Sequence, residues 1–258
     1  MFRVAVLASG RGSNFQAIVE HERLGVFKGV EVAVLIYNHP EANVARIAEE
    51  YAVPSVFIEY RGKKRTVFEE EVLGTLKEYD VDLACLAGWD QIVGARFFET
   101  YRWRLMNIHP SLLPSFGRKG LNGRFVHMAA LEYGVKVTGA TVFYVDISVD
   151  RGPIIVQEPV EVREEEIALY SSDLPGDRER AVEMLSERVL VHEHRLYSKA
   201  IQLHAEGRIR VLGDKTIVDY DEDWEEEWRE REQPFIEHQK RYWARKRHAL
   251  EEVLRSPC

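Results

Sequence analysis

The chain has 258 residues, with 35 Lys+Arg against 43 Asp+Glu and a formal net charge of −8. With 45 % hydrophobic and 30 % charged residues it has the composition of a globular protein that buries a core, and no apolar run reaches the roughly 18–20 residues of a membrane span. The negative balance speaks against coating nucleic acid, and two cysteines, Cys85 and Cys258, exclude a disulfide scaffold or a cysteine-rich zinc site.

The first ten residues lack the basic start and long apolar middle of a signal peptide, so the expected location is the cytoplasm. Residues 3–8 (RVAVLA) form a continuous apolar run that ends at Ser9-Gly10 and predict a strand buried on both faces. Residues 14–24 (NFQAIVEHERL) space Phe15, Ile18 and Val19 as a helix does, and Gly25 stops it. The alternation continues with strands at 31–37, 55–58, 83–87 and 103–108 and helices at 42–51, 66–79 and 94–100. This pattern predicts right-handed βαβ units, hence an α/β fold with an open, mostly parallel, twisted sheet and helices on both faces, Rossmann-like.

From Pro110 the texture changes to a Pro/Gly/Ser-rich loop at 110–122, then a helix at 123–133 and two strand-like runs at 135–145 and 153–162. Residues 177–206 give the longest helical pattern, and 208–212 and 216–220 flank Gly213-Asp214-Lys215 as a C-terminal hairpin. The expected division is residues 1–218, with halves 1–105 and 106–218, followed by a charged helical extension, 219–258. Residues 219–232 hold nine acidic residues against two basic, 239–255 hold six basic residues, and Pro234 separates the blocks. Trp224 and Trp228 share one helix face. The extension reads as a solvated helix packed loosely on the domain or on a second copy of the chain, with a recognition tail as the alternative.

Three places suggest chemistry. Residues 8–14 (ASGRGSN) follow a strand and open a helix, so the amides of Gly12, Ser13 and Asn14 suit an anion at the positive end of the helix dipole; helix capping by Ser13 or Asn14 explains the same residues. Residues 106–114 (MNIHPSLLP) end a strand, and alternation places Asn107 and His109 on one side, an amide donor beside an imidazole. Asp150 lies in a turn (VDRGP, 149–153) between two strands, and a carboxylate beside an imidazole raises the imidazole's pKa.

In this order and spacing, LASGRGSN (7–14), Leu86-Ala87-Gly88, NIHPSLLP (107–114) and VDRGP (149–153) resemble the glycinamide ribonucleotide formyltransferases of the folate-dependent formyltransferase superfamily, over residues 2–220. The resemblance implies formyl transfer from 10-formyltetrahydrofolate to the amine of glycinamide ribonucleotide in purine biosynthesis. It implies a catalytic trio of Asn107, His109 and Asp150, a substrate phosphate on Gly12, Ser13 and Asn14, and a substrate-binding acid, Glu193. It places folate against Arg65, Asp90, Gln91, Ile92, Val93, Val145 and Asp146, with no metal, nucleic-acid or membrane partner. A domain ahead of residue 3, as in formyltetrahydrofolate hydrolases, or a barrel-like domain afterwards, as in methionyl-tRNA formyltransferases, is not expected.

Three departures stand against that pattern. Trp89-Asp90-Gln91 replaces an apolar residue followed by arginine, Phe143 stands where a second histidine is usual, and the loop ends in Asn122, with residues 123–126 inserted. They leave open a different phosphorylated or nucleotide-linked amine as acceptor, or a non-catalytic folate-binding paralogue.

Overall fold

The computed structural model describes residues 1–118, 120–147 and 150–255, with side chains as far as residue 245. Val149 and Cys258, named above, lie outside the described residues. In chain order the elements are β1 (Phe2–Ala8), α1 (Ser13–Arg23), β2 (Val30–Tyr37), α2 (Asn43–Glu50), β3 (Ser55–Phe57), α3 (Arg65–Glu78), β4 (Leu83–Leu86), α4 (Ala95–Thr100) and β5 (Leu105–His109). Then come α5 (Arg124–Tyr133), β6 (Val137–Tyr144), β7 (Ile154–Glu161), α6 (Glu164–Tyr170), α7 (Asp177–Ala205), β8 (Ile209–Leu212), β9 (Lys215–Val218) and α8 (Glu222–Arg255).

Seven strands make one sheet in the order β3-β2-β1-β4-β5-β6-β7, and β8 and β9 pair separately as the expected hairpin. β1 to β5 run parallel, while β6 and β7 add on antiparallel. Period-two alternation decides which face each residue enters. Val4, Val6 and Ala8 of β1 join the core beneath α1, α2, α7 and α8, whereas Ala5 and Leu7 join the core beneath α3 and α4. The chain runs outward from β1 to β3 on one side and from β4 to β5 on the other. The crevice between β1 and β4, at their carboxyl ends, is therefore the place where an open α/β sheet receives a ligand.

Two features differ from the sequence reading. Helix α6 falls in residues 163–176, to which the sequence reading assigns no element. Glu164, Glu165 and Glu166 lie in its first turn, where acids favour a helix start, and Glu166 Oε2 accepts the Arg163 N–H at 2.9 Å. The second difference is the extension. Pro234 does not break it but lies inside the 34-residue α8, and the packing is tight. Trp224, Trp228 and Phe235 are buried in the main core, and the Trp224 and Trp228 rings stack at 5.8 Å with a 2° interplanar angle. Burying three aromatic side chains offsets the carbonyl left without a partner by proline.

Candidate active site

The turn between β1 and α1 is shaped by close packing. Gly12 sits at φ +79, and a Cβ there would lie 2.7–2.9 Å from Val44, so only glycine lets the turn nestle against α2. Helix α2 fixes the turn from behind, since the Val44 N–H donates to Gly10 O (3.1 Å) and Asn43 Nδ2 to Arg11 O (3.0 Å). Of the two sequence readings, side-chain capping is not what the structure shows: Gly12 is the N-cap residue, and no side chain caps α1. Asn14 instead turns its amide across the cleft, donating from Nδ2 to Glu193 Oε2 on α7 at 2.9 Å. Burial pushes the Glu193 carboxyl up, while the Asn14 bond and the Arg11 charge pull it down.

At the end of β5, Asn107 and His109 fall on the same side, as alternation requires. The Ile108 N–H donates to Asn107 Oδ1 at 2.9 Å, which occupies the amide oxygen and leaves the Nδ2 donors for the cleft. His109 is 4 % exposed; its Nε2 lies 3.2 Å from Phe116 O and its Nδ1 3.9 Å from Asp150 Oδ2. The sequence reading has the carboxylate holding the imidazole charged. In the structure, burial outweighs that attraction: it pushes His109 down and Asp150 up, with each partner's charge pulling the other way. Burial thus works against the fully ionised pair, and the mutual attraction of the two groups works for it. Asp150 itself adopts φ +53, a left-handed conformation that Asp and Asn tolerate better than other side chains.

A cleft of about 700 Å³ opens on all these groups. Gly12, Ser13 and Asn14 line it from the first turn, Asn107 and His109 from β5, and Glu193 from α7. Asp90, Gln91, Ile92 and Val93 line it from the loop after β4, and Val145, Asp146 and Asp150 from the β6–β7 connection. Arg65 is set apart. It starts α3, with its Nε 3.8 Å from Glu69 Oε1, and Glu69 accepts the Gly94 N–H at 2.6 Å. Its link to the cleft thus runs through the end of the loop after β4.

The Asp90 carboxylate is spent on that loop. Its Oδ1 accepts from Ser9 Oγ (2.9 Å), Asn38 Nδ2 (2.7 Å) and Gln91 Nε2 (2.9 Å), and Oδ2 lies 2.7 Å from His39 Nε2. Burial pushes this carboxyl up, but the bonds from His39, Asn38, Gln91 and Ser9 outweigh it and bring it down to about 2. Among the lining residues that the sequence reading did not single out are Arg11 and His127. Arg11 lay inside the very turn singled out, whereas His127 sits on a helix with no spacing signal. His127 is buried; burial, then the charges of His109 and Arg11, push it down to about 4.

Residues 2–201 match the formyl transferase family. The chain belongs to that family. It is 34 % identical over 203 residues to the phosphoribosylglycinamide formyltransferase of Bacillus subtilis, covering 78 % of this chain and 94 % of that protein. It is 38 % identical over 210 residues to the human trifunctional purine biosynthetic protein adenosine-3, covering 81 % of this chain but 19 % of that protein. The chain thus spans about a fifth of the length of the trifunctional relatives it matches. Among solved structures, the glycinamide ribonucleotide transformylase 1 of Symbiobacterium toebii superposes with a TM-score of 0.74 at 37 % identity, covering 84 % of this chain and 94 % of that one. As a formyl transferase fold, the sheet places its crevice where the sequence motifs converge. Among the described residues no helix is long and apolar enough to cross a membrane.

Proposed function

We propose that this formyl transferase moves the formyl group of 10-formyltetrahydrofolate to the amine of glycinamide ribonucleotide, a cytoplasmic step of purine biosynthesis. The observation that carries the reading is convergence: an amide, an imidazole and a carboxylate from distant parts of the chain share one cleft with the glycine turn and Glu193. In this reading the substrate phosphate rests on the amides of Gly12, Ser13 and Asn14 at the start of α1, and Glu193, held by Asn14, binds the sugar-amine portion. The folate lies along residues 90–93 with Val145 and Asp146, and Arg65 stands beyond the cleft toward its outer end.

The amine nitrogen attacks the formyl carbon, forming one C–N bond and an oxyanion. Asn107 Nδ2 donates to that oxygen, a contribution of about 3–4 kcal/mol when one such donor is lost. His109 supplies the second donor, its loose 3.2 and 3.9 Å contacts giving way to the substrate oxygen. Asp150 accepts the proton leaving the attacking amine and returns it, through water, to N10 of the folate as the old C–N bond breaks.

The test is turnover by the purified protein with glycinamide ribonucleotide and 10-formyltetrahydrofolate, following formylated product. Absence of product from a folded sample overturns the reading. Phe143 and the Asp90-Gln91 pair support a second reading, another phosphorylated amine as acceptor, and faster formylation of such an amine would establish it.

A further inference from the structure

Arg11 belongs to no part of the chemistry described so far. It lies between Gly10 and Gly12, is exposed, and lines the cleft. The backbone that presents it is fixed by α2 on both sides, through Gly10 O and Arg11 O. No ion pair or side-chain hydrogen bond engages its guanidinium among the described residues. Its charge is nonetheless felt by Glu193 on α7 and by His127 on α5, both of which line the same cleft. The same wall carries a second sign of a polar occupant. His127 is 2 % exposed, and its Nδ1 has no hydrogen-bond partner among the described residues. The cleft thus offers an occupant an unengaged guanidinium and an unpartnered imidazole nitrogen.

The geometry points to Arg11 as the residue that selects a doubly negative phosphate monoester, adding its guanidinium to the α1 amides at the glycine turn. This rests on the proposed reading that the acceptor's phosphate occupies the glycine turn. Amides and helix dipole alone supply about half a positive charge and tolerate many anions. A guanidinium adds a full charge and a planar fork of donors matched to phosphate oxygens. The effect is therefore on binding: Arg11 sets how well a phosphorylated acceptor is held and leaves the reacting atoms alone.

The probe is ribose 5-phosphate, titrated calorimetrically into the wild-type chain and into Arg11→Ala and Arg11→Lys, with ribose as the uncharged control. Arg11→Ala is expected to weaken ribose 5-phosphate about 10- to 100-fold, the range for a lost charge-assisted contact, with partial recovery in Arg11→Lys. With glycinamide ribonucleotide, KM is expected to rise by the same factor while kcat changes less than twofold. Ribose 5-phosphate binding within twofold of wild type in Arg11→Ala overturns the inference, as does no binding by the wild type. Arg11-dependent binding without formyl transfer refutes the proposed function and supports the role of Arg11. Formyl transfer with an unchanged KM in Arg11→Ala does the reverse.

Discussion

Asn14 donates to Glu193 across 2.9 Å, joining the first turn of α1 to the middle of α7 over 179 residues of sequence. The bond holds a buried carboxylate at the cleft wall beside the glycine turn, where the acceptor is proposed to lie. Glu193→Ala is expected to raise KM for glycinamide ribonucleotide about 10- to 100-fold, the loss of one hydrogen bond to a charged group. KM for the formyl donor stays within twofold. Steady-state kinetics with each substrate varied checks this, and equal changes in both KM values count against the assignment.

Asp90 lines the cleft and also ties down the loop that carries it. Its carboxylate gathers Ser9, Asn38, His39 and Gln91. In Asp90→Ala the loop at 88–93 is expected to lose protection from amide hydrogen exchange, and KM for the formyl donor to rise about tenfold, equivalent to ~1.4 kcal/mol. An unchanged exchange pattern contradicts this account of the loop.

Helix α8 adds stability through its aromatic face. The buried Trp228 stacks on Trp224, and the His21 ring lies parallel at 6.4 Å. Trp228→Ala is expected to cost about 3–5 kcal/mol in urea unfolding, as for other large core truncations. A loss below about 1 kcal/mol would restore the loosely packed helix that the charge pattern suggests.

Three histidines, His127 and His194 buried and His204 half-buried, make the fold acid-sensitive. Burial first of all pushes His127, His194 and His204 down to about 4, 3 and 4. Above pH 6.5 each is neutral in both folded and unfolded chains, and stability is complete. As the pH falls from 6.5 toward the folded values, the unfolded chain takes protons that the folded chain does not. Stability is then lost by up to about 1.4 kcal/mol per pH unit for each histidine. His194→Gln is expected to lose less stability between pH 6.5 and 4 than wild type, read from urea midpoints across that range. A steeper loss in the variant contradicts the assignment.

The parallel half of the sheet is legible in the sequence because β1, β2 and β4 are short apolar runs between glycine-bounded turns, buried on both faces. Asn107 and His109 are legible for a related reason, two-residue alternation at a strand end. Asp150 is not: residue spacing cannot bring a turn 41 positions away to within 3.9 Å of His109, and only the resemblance named it. The burial of Trp228 and Phe235 is hidden because a dense acidic run reads as solvated, while the apolar stripe facing α1 and α7 is one residue in three or four. His127 escapes notice since a lone histidine on a helix matches any buried polar residue.

In the proposed reaction Asp150 and His109 together move the proton that formyl transfer requires. Asp150→Asn tests this most directly, because asparagine also tolerates φ +53 and keeps the turn, while it cannot take a proton. The variant is expected to keep its urea midpoint and to show a kcat about 10²–10⁴-fold below wild type, the range for lost general acid–base catalysis. The acid limb of the wild-type pH–rate profile, set above the ordinary carboxylate range because burial pushes Asp150 up, is expected to vanish in the variant. A variant that turns over within threefold of wild type and keeps that limb would contradict the account.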